Sequence, residues 1–316
     1  MHGSPLVSDR TAERVRSVME KMHYFPNVTA TTLKHGASHI YGLIIPDITN
    51  PFFPEFIKAF ESIAVRENQE VLIANTDFHP DGMQLSIRRL LTRQAEGVAL
   101  LVSVLPDIAT SFHKNGVPIV TFDRRIVGNG ISDVGIDSRS AMDKSVQHLK
   151  ELGHSKIGYI GGIAAEPTSD HRFNSFVKAL KKHDLVCHSE FLKIGNYRIG
   201  GGTAAMTEIL SQKYRPTAII AVNDLTAIGA MRVITAHGYS IGADFSIIGF
   251  DDIQFSEIVT PALTTMALSR VELAKNFFNA LQSFERSIEK TGKQYLVKAR
   301  LVVRQSTGRP RKTGRK

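Results

Sequence analysis

Short apolar runs alternate with amphipathic segments along most of the chain. The apolar runs, typical of strands that are buried on both faces, lie at 40–45, 70–74, 97–102, 117–122, 134–136, 156–160, 218–222 and 246–250. The segments between them repeat apolar positions with the helical period and lie at 54–66, 81–93, 138–152, 172–182, 202–210, 225–237 and 270–284. This alternation predicts an α/β fold of parallel sheets covered by helices. Because the units are too many for one small sheet, we expect two doubly wound lobes.

Both ends of the chain depart from this alternation. Ser8 is placed to cap a helix that runs to about Met22, and the break at 25–27 follows because the residue before a proline avoids helical geometry. A short threonine-rich segment at 27–34 is too weak a helix former to be stable alone. At the other end we expect one late strand at 295–303.

The positive charge of the protein is unevenly distributed. The net charge of the 316 residues is +9, but 298–316 contains eight basic and no acidic side chains, which leaves 31 basic and 30 acidic residues for the rest. The charge is therefore weak evidence for a nucleic-acid surface on the folded body. A single cysteine, Cys187, excludes an internal disulfide framework, and we expect its thiol to be buried. No segment resembles a membrane span or a signal peptide, which favours a cytoplasmic protein.

Polar and aromatic side chains recur where the predicted strands end. The candidate ligand-binding residues are Phe52, Phe53, Asp123, Arg124, Asp137, Arg172, Asn223 and Asp251. Each alone has an ordinary structural explanation, since such residues also cap helices and form turns. In doubly wound sheets, however, ligands bind beyond the carboxyl ends of the strands. Carboxylates, an amide and an arginine beside aromatic rings would suit a polyhydroxylated ligand.

The sequence shows no set of residues that an enzyme would need. The glycines at 195–202 lack the lysine and the serine or threonine of a phosphate-binding loop. Cys187 has His183 and His188 nearby, but in a hydrophilic connection rather than an enclosed site. The histidines do not have the spacing of zinc ligands. We therefore expect no enzyme activity, no cofactor and no metal.

Seven stretches of the sequence carry a family resemblance. They are SPLVSDRTAERV (4–15), YFPNVTATTLKHGASHIYGLIIPDITNPFF (24–53), VPIVTFDRR (117–125), LKELGHSKIGYIGG (149–162), AVNDLTAIGAMRVI (221–234), GADFSIIGFDDIQFSEIVTPALTT (242–265) and LVVRQSTGRPR (301–311). Together they resemble the lactose-repressor (LacI/GalR) family of bacterial transcription regulators. The resemblance implies a cytoplasmic homodimer with a DNA-binding headpiece, a hinge helix and an effector core similar to the periplasmic sugar-binding proteins.

The resemblance also implies how the chain divides. Residues 1–39 would form the remnant of a helix-turn-helix headpiece and the hinge helix, 40–308 the effector core, and 309–316 a basic tail. The two lobes of the core are expected at about 40–139 with 267–295 and at about 140–266 with 296–308. The family headpiece has two further helices before the one at 8–22, including the recognition helix. Either the start of this chain was assigned too late, or the headpiece is truncated and binds operator DNA weakly.

The same resemblance implies roles for individual residues. Effector-contacting positions of the family match Phe52, Asp123, Arg124, Asp137, Arg172, Asn223 and Asp251. The hinge positions expected at DNA are Asn27, Thr31, Leu33 and Lys34. An apolar side chain such as Leu33 would act as a wedge in the minor groove, unless it packs on the core as part of a linker. Ser138 replaces an asparagine of the family and Asn174-Ser175-Phe176 replaces a motif that ends in Gly-Phe, so the ligand stays open.

The resulting hypothesis is an effector-responsive, DNA-binding regulator, a repressor of a carbohydrate-utilisation operon. A small ligand between the lobes would shift the geometry of the dimer and of the hinge by binding one state more tightly than the other. The expected partners are operator DNA, a sugar or sugar derivative and a second copy of the chain, with no membrane. The alternative from another class is a sugar-binding module without a role at DNA.

Overall fold

The structure, a computed structural model, describes residues 8–23, 37–102, 111–112, 114–164, 166–286 and 290–311. The chain divides into two units, Met1–His39 and Ile40–Lys316. In the first unit, helix α1 (Asp9–Lys21) begins after Ser8, close to the predicted bounds. Ser8 caps it through its backbone carbonyl, which accepts the N–H groups of Thr11 and Ala12, while its hydroxyl contacts that of Thr11. The predicted hinge residues lie outside the described residues; they are Asn27, Thr31, Leu33 and Lys34.

The second unit alternates strands and helices as the sequence predicts. Its described strands are, in chain order, β1 (Ile40–Ile45), β2 (Glu70–Asn75), β3 (Gly97–Leu100), β4 (Ile119–Phe122), β5 (Ile131–Ile136), β6 (Ile157–Ile160), β7 (Leu192–Lys193), β8 (Ala218–Ala221), β9 (Ser246–Asp251), β10 (Thr264–Ala267), β11 (Gln294–Val297) and β12 (Arg300–Val302). Its described α-helices are α2 (Phe52–Arg66), α3 (Pro80–Thr92), α4 (Ser138–Glu151), α5 (Pro167–Lys182), α6 (Ile199–Ser211), α7 (Asp224–Ala236), α8 (Phe255–Ile258) and α9 (Arg270–Arg286), and a short 3-10 helix spans Ser189–Phe191.

These strands form two six-stranded sheets, each the centre of one lobe. The sheet of lobe 1 has the order β11-β5-β4-β3-β1-β2, and all its pairings are parallel. The sheet of lobe 2 has the order β12-β10-β9-β8-β6-β7 and is parallel except where β12 pairs with β10. The chain crosses between the lobes after β5, after β10 and after β11. All three crossings therefore lie near the same edge of the two sheets.

Burial explains why apolar runs become strands here. Every residue of β1 is buried, as are all four residues of β3, β6 and β8, because helices cover both faces of the sheets. Helices α2 and α9 pack together on lobe 1, and α6 and α7 pack together on lobe 2. None of the helices in the described parts of the chain combines the length and the apolar character that a membrane span requires.

The C-terminal strands and the start of one helix differ from the sequence prediction. The prediction of a single late strand at 295–303 was wrong. This segment forms two strands, of which β11 pairs in lobe 1 and β12 pairs in lobe 2. Helix α5 begins five residues before the predicted Arg172. Its first residue, Pro167, needs no N–H partner at that position, and the Glu166 side chain caps it by accepting the Ser169 N–H at 2.9 Å.

The glycine-rich stretch that begins α6 has a packing role. A Cβ at Gly202 would lie 2.0 Å from the carbonyl oxygen of Thr226 in α7, and one at Gly229 would lie 2.1 Å from the carbonyl oxygen of Ile199. Side chains at these positions would force the two helices apart. Glycine is thus required where α6 and α7 cross. This packing explains the glycines at the start of α6, which the sequence analysis could only show not to be a phosphate-binding loop.

Candidate ligand-binding site

A cavity lies between the two lobes at the carboxyl ends of their strands. The space measures about 690 Å³, including the part open to solvent. Its walls are formed by Pro46, Asp47, Asn50, Phe52, Phe53, Phe78, Leu101, Val102, Phe122, Glu166, Thr168, Arg172, Tyr197, Arg198, Asn223 and Asp251. Lobe 1 contributes the residues up to Phe122, and lobe 2 contributes the rest.

Arg172 is the central polar group of the lobe 2 wall. Its side chain is only 4% exposed, and its guanidinium lies 3.9 Å above the ring of Phe250. Nη1 donates to the backbone carbonyl of Val222 at 2.6 Å, and Nη2 lies 3.9 Å from a carboxylate oxygen of Asp251. Among the described residues, its Nε has no hydrogen-bond partner. A buried donor without a partner is costly, and Arg172 is one of the residues that line the cavity.

Asp251 stands beside Arg172 in a strained backbone conformation. Its φ of 111° lies in the region that favours glycine. Asp224, which is fully buried, holds the turn that follows by accepting the Ile253 N–H at 2.9 Å and the Ser256 hydroxyl at 2.8 Å. Burial raises the pKa of both carboxyls, and the Arg172 charge opposes this rise at Asp251. Asp224 therefore fixes the turn that follows Asp251, and the Asp251 side chain lies in the cavity wall.

Asn223, Tyr197 and Glu166 form a second hydrogen-bonded group on the same wall. Asn223 caps α7 by accepting the Thr226 N–H at 3.0 Å and donates to the carbonyl of Tyr197 at 2.9 Å. The Tyr197 hydroxyl donates to Glu166 at 2.6 Å. Burial, followed by the charge of Glu166, raises the pKa of Tyr197 well above its usual value, so the hydroxyl stays protonated. Lobe 2 thus presents an ordered polar surface to the cavity.

The wall from lobe 1 is mainly apolar, and four of its nine residues are phenylalanines. The rings of Phe52 and Phe53 meet edge to face at 5.2 Å, and Phe122 stacks on Phe52 at 6.2 Å. The Asn50 side chain accepts the Phe52 N–H at 3.1 Å, which fixes the start of α2. The guanidinium of Arg270 lies 4.7 Å from the centre of the Phe52 ring. Flat apolar surfaces of this kind suit the C–H face of a sugar ring or a planar ring system.

Five of the eight predicted ligand-binding residues line this cavity. They are Phe52, Phe53, Arg172, Asn223 and Asp251. Asp123 and Arg124 directly follow the wall residue Phe122, but neither is part of the lining. Asp137 caps α4, where its carboxylate accepts the Ser140 N–H at 3.1 Å, and it borders a separate depression.

Asp123 is fully buried behind the lobe 1 wall. One carboxylate oxygen accepts the Ile136 N–H at 3.0 Å, and the other has no partner among the described residues. Burial raises its pKa to about 6, although the charge of Arg172 acts in the opposite direction. Arg124 donates its backbone N–H to Asp133 at 2.9 Å. The effector roles of these residues and of Asp137 stay predictions.

Several wall residues were absent from the predicted set. Glu166, Tyr197 and Arg198 follow β6 and β7, and Phe78 follows β2. Strand β7 has only two residues, so no apolar run marks the strand end before Tyr197 and Arg198. Cys187, expected to be buried, is exposed. No cluster of potential metal ligands occurs among the residues whose positions the structure describes.

Comparisons with known proteins agree with this geometry. The profile of a family described as a periplasmic binding protein-like domain matches residues 146–307. The HTH-type transcriptional repressor PurR of Mannheimia succiniciproducens is 30% identical over 95% of this chain and 90% of that protein. The HTH-type transcriptional repressor CytR of Escherichia coli is 29% identical over 95% of this chain and 89% of that protein. These relatives define the class as transcription regulators, not enzymes.

Solved structures give the same result. A LacI family transcriptional regulator from Enterococcus faecium with bound ribose has a TM-score of 0.75, 27% identity and coverage of 85% of this chain and 99% of that one. The lac repressor dimer bound to operator and the anti-inducer ONPF has a TM-score of 0.85 over 96% of this chain and 92% of that one; at 23% identity it shows the fold alone. The chain belongs to the LacI/GalR family of bacterial transcription regulators. The predicted family and fold class are confirmed.

Proposed function

We propose that this protein is an effector-responsive transcriptional repressor of a carbohydrate-utilisation operon, acting as a cytoplasmic homodimer on operator DNA. One observation carries the proposal: a cavity between the lobes with an ordered polar wall on one lobe and a phenylalanine-rich apolar wall on the other. Arg172 and the Asp251 carboxylate are neighbours in the cavity wall and would bind adjacent hydroxyls of a sugar or sugar derivative. The aromatic rings would cover an apolar face of the same ligand.

The proposed mechanism is a population shift between lobe arrangements. The three chain crossings allow the lobes to rotate about one edge, and a ligand that contacts both walls favours the closed arrangement. In a dimer, this closure would change the spacing of the two DNA-binding segments. The ligand can shift DNA affinity only by the difference in its own affinity for the two states. The E. faecium regulator with bound ribose supports a sugar as the ligand class.

The first test is a thermal-shift screen of the purified chain against neutral sugars, sugar phosphates and purines. A compound at about 100 times its Kd adds about 2.7 kcal/mol to the free energy of unfolding, which raises Tm by several degrees in a protein of this size. An epimer of the compound that binds serves as the matched control. If no compound in these classes produces a saturable shift, the sensor proposal fails.

The second test concerns DNA. Duplexes selected from a random pool would be retained on the protein with and without the compound from the screen, at two salt concentrations because phosphate contacts depend on salt. We expect retention to change several-fold on addition of the compound and not of its epimer. A protein that binds the compound but retains no DNA would instead be the sugar-binding module without a role at DNA.

A further inference from the structure

Arg198 joins the two lobes by direct side-chain contacts. It belongs to lobe 2 and precedes α6. Its Nε donates to Asp47 at 2.8 Å and its Nη2 to Asp77 at 2.5 Å, and both aspartates belong to lobe 1. Its guanidinium also lies 5.6 Å from the ring centre of Phe78. One side chain of lobe 2 therefore contacts the segments that follow both β1 and β2.

Both ends of this bridge are held in place. The Asn196 side chain accepts the backbone N–H groups of Arg198 and Gly201, each at 3.1 Å, which fixes the turn from which Arg198 extends. On lobe 1, Asp47 accepts the N–H and the hydroxyl of Thr49 with one oxygen, leaving the other for Arg198. Although partial burial acts against it, hydrogen bonds from Thr49 and Arg198 lower the pKa of Asp47, so its charge is retained.

The contacts of Arg198 lie at the sheet edges that are far from the chain crossings. Strands β1 and β2 lie at one edge of the lobe 1 sheet, and β7 is the edge strand of lobe 2. The chain crossings lie at the opposite edges, near β5, β10, β11 and β12. By contrast, Glu55 contacts Arg270 at 3.1 Å and the Gln254 N–H at 3.3 Å beside the crossing that follows β10. A hinge opening at the crossings would separate Arg198 from its aspartates before it disturbed the Glu55 contacts.

We propose that Arg198 is a clasp that favours the closed arrangement of the lobes before any effector binds and thereby sets the open-to-closed ratio. Ion pairs with partly exposed members contribute modestly, and Arg198 is 47% exposed while Asp47 is 7% exposed. Loss of the clasp should therefore raise the open fraction about three- to tenfold. The consequence for effector affinity rests on the proposed function, but the closure itself does not.

The test measures lobe separation in the protein without ligand or DNA. Cys187 is replaced by serine, and spin labels are attached to Gln84→Cys in α3 and Ala204→Cys in α6, both at exposed positions on different lobes. Pulsed electron–electron double resonance then gives the distribution of distances between the two spin labels. We expect one main short distance for the parent protein and a larger long-distance population for Arg198→Ala.

The controls separate a clasp from a general loss of structure. Asp77→Asn should produce a smaller change than Arg198→Ala because Asp47 remains. Lys182→Ala removes an ion pair of 2.6 Å with Asp143 inside lobe 2 and should leave the distribution unchanged. Circular dichroism confirms that each variant is folded. The proposal is overturned if Arg198→Ala and the parent give the same distribution, or if the parent already has the long distance. Neither result depends on whether the protein binds a sugar or DNA.

Discussion

The two walls of the cavity are built on different physical principles. On lobe 2, Arg172, Asn223 and Tyr197 are each tied to backbone or side-chain partners, so their polar groups keep one orientation. On lobe 1, Phe52 and Phe122 meet through ring contacts, which are non-directional and tolerate small shifts. Under the proposed function, lobe 2 would fix the orientation of a ligand, while lobe 1 would cover it as the lobes close.

The largest expected effect comes from removing the central group of the ordered wall. Arg172→Ala leaves the carbonyl of Val222 unpaired and the buried Asp251 carboxylate without its nearest positive charge. Breaking one side of a buried pair costs about 3 kcal/mol or more, and we expect a loss of this order in the free energy of unfolding measured with urea. The variant should also lose any thermal shift caused by an effector, because a buried contact to the ligand is removed.

Arg172→Lys is the matched control, since it keeps the charge but loses the fork of donors. We expect its stability to lie between those of the parent and Arg172→Ala, with no effector-induced shift. If Arg172→Ala still responds to the effector, the ordered wall does not orient the ligand. The difference between the two walls would then have no role in ligand binding.

A smaller effect of opposite sign is expected behind the wall of lobe 1. Asp123 is buried with one oxygen lacking a partner among the described residues, and its pKa is raised from 3.8 to about 6. Between these values the folded state binds more protons than the unfolded state, so this group lowers stability as the pH rises from about 4 to above 6. Asp123→Asn keeps an oxygen for the Ile136 N–H and removes that cost.

At pH 8 we expect Asp123→Asn to be more stable than the parent by at most about 3 kcal/mol, since one pKa unit corresponds to about 1.4 kcal/mol and the pKa is raised from 3.8 to about 6. At pH 4 the two proteins should be equally stable. Urea unfolding at both pH values measures the difference. Equal stability of the two proteins at pH 8 would mean that burial of the ionised Asp123 carboxylate does not destabilise lobe 1.

The sequence predicted the sheets well because buried parallel strands have a simple signature. Apolar runs located β1, β6 and β8 within about a residue of their observed bounds. The sequence did not predict strands that lack an apolar run. Strand β7 has only two half-buried residues, and β10 contains threonines whose burial depends on partners distant in sequence. The break between β11 and β12 was also invisible, since the chain changes sheets without a proline or a glycine.

The candidate site was predictable to the extent that strand ends fix it. Arg172 and Asp251 lie where the position of their strands indicates, and both line the cavity. Asp123 was expected beside them, but it lies just beyond β4, where the backbone turns through a left-handed φ of 50°. Phe122 therefore lines the cavity, and Asp123 is buried behind it. Arg198 could not be predicted, because its partners Asp47 and Asp77 are brought to it only by the arrangement of the two lobes.

The smallest expected effect concerns one hydrogen bond at the margin of the ordered wall. Tyr197→Phe removes the bond to Glu166 but keeps the ring, and it leaves the Tyr197 carbonyl available to Asn223. A net hydrogen bond contributes about 1 kcal/mol, so we expect a loss of this size in urea unfolding. Tyr214→Phe, on an exposed ring in lobe 2, is the control and should change stability by less than about 0.5 kcal/mol. Because Asn223 stays anchored, effector affinity of Tyr197→Phe should fall only a few-fold. A complete loss would place the Tyr197 hydroxyl, rather than Arg172, at the centre of ligand orientation.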